Sequence, residues 1–160
     1  MKRATLCYIW KTGETGREYL MLYRNKKEND PNEGKWIGVG GQFEAGETPD
    51  ECMLREVREE TGLALTSYHF CGIIHFVSDT WEDEDMYLYR AEDSGDGADL
   101  SCDEGELRWI REDALWELPM WEGDRLFLRP LLEGAENINM TLRYEGDELV
   151  DYTPHLSSLL

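Results

Sequence analysis

Positive charge is scarce in this sequence. Sixteen lysines and arginines stand against 35 aspartates and glutamates, a formal net charge of −19 in 160 residues. Such a chain repels nucleic-acid backbones and anionic membranes over any distance that salt leaves unscreened. A polyphosphate would need divalent cations to approach it. Long apolar runs are missing too: no window reaches the roughly 18 apolar residues of a membrane span. The N-terminal MKRATLCYIW has a basic start with no long apolar stretch behind it, so the expected location is the cytoplasm. Cys7, Cys52, Cys71 and Cys102 contain no CxxC pair, and buried reduced thiols are expected in preference to disulfides or a metal site. No internal repeat appears and no linker divides the chain. An apolar fraction of 41% over 160 residues suits a single domain, residues 1–160, with one sizeable core.

The patterning predicts an α+β chain. Apolar runs at 4–10 and 19–23 flank a glycine-containing turn at 11–16 and read as a hairpin. A polar stretch, 25–35, leads into Trp36-Ile37-Gly38-Val39-Gly40-Gly41, whose glycines let backbone approach closely to whatever lies above. A helix is expected over 48–61, capped by Thr48, with Pro49 in its first turn and Gly62 at its stop. Strands follow at 68–77 and 86–91 around an acidic turn, then a polar loop at 92–101 and a short strand at 107–110. A second helix is expected over 121–132, and a hairpin joins 140–144 to 148–152. Strands around one central helix, with a second helix late in the chain, make an α+β domain.

One stretch carries chemistry. Gly41 is followed after five residues by Glu47, and after seven more by Arg55-Glu56-Val57-Arg58-Glu59-Glu60-Thr61-Gly62-Leu63. On a helix, Glu56, Glu59 and Glu60 fall within an arc of about 100°. Three like charges so close call for a cation, and hard carboxylate oxygens suit Mg²⁺ or Mn²⁺. The competing reading is a solvated acidic face. Against it, the acidic stripe borders the apolar stripe of Met53, Leu54 and Val57, and the 38–41 loop brings carbonyls nearby. Arg55 either decorates the surface or holds a carboxylate by a bidentate pair.

The spacing G-x5-E-x7-R-E-U-x-E-E-x-G-U, with U aliphatic, is matched at every specified position, and it resembles the Nudix box of the Nudix hydrolases. The resemblance implies the α/β/α sandwich of that family with a mixed central sheet and a catalytic box helix. It implies that Glu59 and Glu60 are the main metal ligands, with Glu56 and the Gly40 carbonyl completing the set. Arg55 would orient a catalytic glutamate and Glu47 would fix Arg55. The general base varies in the superfamily between a box glutamate and a distant one. The distant candidate is Glu104, also a candidate metal ligand, with Asp103 and Glu106 as competitors.

Flanking segments resemble the 8-oxo-dGTP diphosphatases of the MutT, MutX and MTH1 types. They are GKWIGVGG at 34–41, PMWEGD at 119–124 and YEGDELVDYT at 144–153. The likeness implies Mg²⁺-dependent hydrolysis of a nucleoside triphosphate to monophosphate and pyrophosphate, with an oxidised purine nucleotide as substrate. The only partner it implies is that nucleotide; no nucleic-acid polymer or membrane is expected, and the assembly is a monomer or homodimer. Trp121 offers a face for base stacking or else packs in the core. Asp124 accepts from a purine, donates to an oxo group when protonated, or merely serves a helix's first turn. Phe76 and Met86 are further pocket or core candidates, and Arg24 meets the phosphates or lies exposed. Two departures stand out: Ile37 replaces the asparagine by which the human type reads the base, and Gly123-Asp124 replaces two adjacent aspartates. The alternatives are a Nudix hydrolase of ADP-ribose or an ordinary dNTP, and a non-catalytic nucleotide sensor.

Overall fold

A computed structural model describes residues 1–26, 29–93, 95, 97–102 and 104–155. The strands are β1 (Lys2–Gly13), β2 (Gly16–Arg24), β3 (Trp36–Ile37), β4 (Val39–Gln42), β5 (Tyr68–Ser78), β6 (Glu84–Glu92), β7 (Gly105–Arg111), β8 (Met140–Glu145) and β9 (Glu148–Pro154). The helices are α1 (Pro49–Thr61) and α2 (Asp124–Leu132), with a 3-10 turn at Glu112–Glu117. Among the described residues no helix is long and apolar enough to cross a membrane.

The strands form one sheet in the order β3-β2-β1-β6-β5-β8-β9, with β4 also on β1 and β7 also on β2. β1 runs parallel to β6 and β5 parallel to β8, while the other pairs are antiparallel, so the sheet is mixed. Residues 4 to 9 of β1 are all buried, the mark of a strand covered on both faces. Thr5 meets Cys52 of α1, and Tyr8, whose side chain points to the opposite face, packs its ring 6.4 Å from Phe127 of α2. This is the α/β/α sandwich.

Local chemistry explains α1. The Thr48 hydroxyl accepts from the Glu51 N–H, the Glu51 carboxylate accepts from the Thr48 N–H, and Gly62 ends the helix at φ 76°. Cys52, Met53, Val57 and Thr61 form its buried face, while Leu54 is only half-buried. The second helix begins at Asp124, three residues later than expected. A Cβ on Gly123 would lie 2.6 Å from Leu142 and 2.7 Å from the Tyr144 hydroxyl, and that hydroxyl accepts from the Gly123 N–H at 2.6 Å. The chain there is pinned against β8 and turns into the helix only afterwards. The short strands β3 and β4 and the 3-10 turn carry too few residues for periodicity to reveal them. Cys7, Cys52 and Cys71 are buried, Cys102 is half-buried, and all four are free thiols.

Candidate active site

Arg55 on α1 organises the acidic cluster. Its Nε and Nη2 donate to the two Glu47 oxygens at 2.6 and 2.9 Å, a two-point fork. Nη1 donates to Glu56 at 2.8 Å and to Glu59 at 3.2 Å, and Nη2 reaches the Gln42 carbonyl at 3.1 Å. The Arg55 fork, helped by the Glu44 N–H, lowers the Glu47 pKa to about 2. The glycines at the head of the box have a steric purpose. A Cβ on Gly41 would stand 2.4 Å from the Glu56 carboxylate, and one on Gly40 would stand 1.9 Å from the Thr5 carbonyl oxygen. At Gly40 only glycine lets β4 lie against the β1 backbone, while a side chain at Gly41 would push the Glu56 carboxylate aside.

Glu60 lies outside the Arg55 network. Its Oε2 is buried without a hydrogen-bond partner. Burial first, then the charges of Glu104 and Glu56, push its pKa up to about 8, against the pull of Arg24 and the Gly40 N–H. Burial likewise raises the Glu56 pKa. An orphaned carboxylate oxygen crowded by like charges fits a hard divalent cation. Among the described residues no three His, Cys, Asp or Glu side chains are converged into a metal cage, and Arg55 engages Glu56 and Glu59.

The cluster opens into a cleft of about 470 Å³, within the range of small-molecule sites. Its lining joins Gly40, Gly41, Glu56, Arg24 and Glu104 with Ile37, Phe76, Met86, Trp121 and Asp124. The topology explains the convergence. Met86 of β6 sits opposite Ala4 of β1, Phe76 of β5 sits opposite Glu84, and Gly105 of β7 lies beside Arg24, which delivers Glu104 to the β2 end.

Three side chains sit differently from expectation. Arg24 is buried, not exposed: its Nε lies 2.8 Å from Asp30 and its Nη1 lies 3.4 Å from Glu104. Trp121 is only 4% exposed and is no open stacking platform. The Lys35 ammonium covers its face at 4.4 Å, and Phe76 and Tyr144 meet it edgewise at 5.3 and 4.8 Å. Glu106 is exposed and pairs with Arg108 at 3.3 Å, whereas Glu104 lines the cleft. Asp103, the other rival, lies outside the described residues. Asp124 is buried at the start of α2, and desolvation raises its pKa to about 7, against Arg125 and Lys35.

Asp30, Asn32 and Trp81 also line the cleft and were not singled out from the sequence, and Lys35 covers the Trp121 face. Asn32 accepts from the Trp121 indole N–H at 2.9 Å and lines the cleft. Pro31 among aspartate and asparagine signals a turn, but composition cannot say where a turn points.

Residues 1–131 match the NUDIX domain family. The chain is 29% identical over 157 residues to an uncharacterized Nudix hydrolase of Bacillus subtilis, YvcI, covering 95% of this chain and 93% of the relative. It is 31% identical over 119 residues to the oxidized purine nucleoside triphosphate hydrolase of Danio rerio, covering 73% and 74%. Among solved structures, a mutator MutT protein from Bacillus halodurans superposes with a TM-score of 0.82 at 26% identity, over 96% of this chain and 97% of that one. The box carboxylates, their arginine and the fold that carries them have one common explanation: the chain belongs to the Nudix hydrolase family.

Proposed function

We propose that the protein hydrolyses an oxidised purine nucleoside triphosphate, 8-oxo-dGTP in the first instance, to the monophosphate and pyrophosphate. The observation that carries this reading is one cleft lined both by the carboxylates Glu56 and Glu104 and by Phe76, Met86, Trp121 and the buried Asp124. Nudix hydrolases generally use divalent cations such as Mg²⁺. Here Glu56, Glu59, Glu60, Glu104 and the Gly40 carbonyl would hold them. Bound cations neutralise the polyphosphate and lower the pKa of attacking water.

The residues of the chain do the rest. Glu47 fixes Arg55, and Arg55 holds Glu56 and Glu59 in one orientation. Glu104 is the carboxylate assigned to take the proton from water as it attacks phosphorus in line. Arg24, between Glu104 and Asp30, positions Glu104 and presents positive charge to the phosphates. At the base end Asp124, protonated below about pH 7, donates to an oxo group. Ile37 has no hydrogen-bonding side chain, but Asn32 returns an amide to the same cleft, its oxygen held by the Trp121 indole. Kinship to a relative named for oxidised purine nucleotides supports the reading.

The test is Mg²⁺-dependent release of pyrophosphate against phosphate across 8-oxo-dGTP, the normal dNTPs and ADP-ribose. Pyrophosphate release with the highest kcat/KM on 8-oxo-dGTP is expected. Turnover confined to ADP-ribose or to a normal dNTP would replace the substrate, and no turnover at all would make the domain a nucleotide sensor.

A further inference from the structure

Five of the six tryptophans already have a cation or a ring against them. The Arg17 guanidinium covers Trp10 at 4.0 Å, Lys11 covers Trp109 at 4.3 Å, Arg129 covers Trp116 at 4.5 Å and Lys35 covers Trp121 at 4.4 Å. Tyr23 lies 5.1 Å from Trp36. Trp81 is the sixth, and among the described residues no aromatic ring or cation stacks on it. It is half-buried, one side packed on the core, and it lines the cleft with Phe76 and Met86.

The turn that carries Trp81 is tied down on both sides. The Ser78 hydroxyl oxygen accepts from the N–H groups of Thr80 and Trp81 at 3.0 and 2.9 Å. Asp83 accepts through its carboxylate from the Ser78 N–H and through its carbonyl from the Lys2 N–H on β1. Asp79 accepts from the Gly146 N–H at 2.9 Å, in the turn between β8 and β9. The turn backbone is thus fixed before a ligand arrives, and the indole it carries packs against the core, so little of the turn needs ordering on binding.

We propose that Trp81 is the stacking wall for the base of the substrate and sets its preference for a large, flat purine. This rests on the nucleotide reading above. Trp121 cannot fill the role, since Lys35 already occupies its face and burial leaves it 4% exposed. The division of labour is then plain: Trp81 covers the face of the base, while Asp124 and Asn32 meet its edge. A pyrimidine overlaps an indole less than a purine does, so the wall discriminates by ring size.

The test uses the full chain with Mg²⁺ and compares wild type with Trp81→Ala and Trp81→Phe. Stacking on an aromatic side chain predicts that Trp81→Ala raises KM for 8-oxo-dGTP about tenfold. It should leave kcat nearly unchanged and affect dCTP less, and Trp81→Phe should restore most of the loss. A second readout needs no turnover. With Mg²⁺ retained, titrating the nucleoside monophosphate product should quench wild-type tryptophan fluorescence, and the quench should largely vanish in Trp81→Phe. Unchanged KM in Trp81→Ala, or an undiminished quench in Trp81→Phe, overturns the assignment while nucleotide hydrolysis by the wild type stands. A wild type that neither binds nor hydrolyses any nucleotide overturns both readings.

Discussion

Asp124 shows how one buried carboxyl couples stability to pH. Its pKa is raised from 3.8 to about 7 by desolvation. Between those values the folded chain holds a proton that the unfolded chain has lost. Stability therefore falls as pH rises through that window. Asparagine cannot ionise, so the Tm of Asp124→Asn minus that of wild type should climb between pH 3.8 and about 7 and flatten above it. Thermal melts across that range check this, and a pH-independent difference would show that the carboxyl is not held protonated. The same protonated form is the one that can donate to an oxo group.

At the scale of elements, the contact between Gly123 and β8 sets where α2 begins and therefore where Asp124 points. Replacing Gly123 by alanine puts a methyl within 2.7 Å of the Tyr144 hydroxyl and closer still to Leu142. Overpacking of this kind costs about 1–3 kcal/mol. Gly123→Ala should lower the urea midpoint accordingly and raise KM by displacing Asp124 and Trp121. An unaltered midpoint would mean that β8 yields freely. The helix α1 behaves differently, because its cap, its glutamates and its stop are all local.

At the scale of the molecule, a net charge of −19 and a buried, unpartnered Glu60 oxygen act in the same direction. Binding of a divalent cation by the folded chain alone raises stability by RT ln(1 + [L]/Kd), about 2.7 kcal/mol at a hundredfold excess over Kd. Mg²⁺ should raise the wild-type Tm above a sodium control of equal ionic strength. In Glu60→Gln that increment should shrink sharply and turnover should be lost while the fold persists. An equal Mg²⁺ increment in both proteins would show general screening of the acidic surface, and near-wild-type rates in the variant would remove Glu60 from the metal set.

The family, the helix α1 and the positions of Glu47, Arg55, Glu56, Glu59 and Glu60 on and around it were legible in the sequence because they lie within one box. The helical period and the capping residues Thr48, Glu51 and Gly62 specify their relative positions locally. The rest of the cleft was legible only in fragments. Its residues come from β3, β5, β6, the 25–35 loop, the 79–83 turn and the start of α2, brought together by parallel β1–β6 and β5–β8 pairings. Composition showed Trp121 and Arg24 as aromatic and basic. Only packing decided that Lys35 covers the one and that Asp30 and Glu104 enclose the other. Conversely Trp81 and Asn32, unremarkable in an acidic turn and a polar loop, reach the cleft because tertiary contacts aim those segments inward. Spacing along a helix is a local property of the chain; which side chain faces a cavity depends on contacts between residues far apart in it.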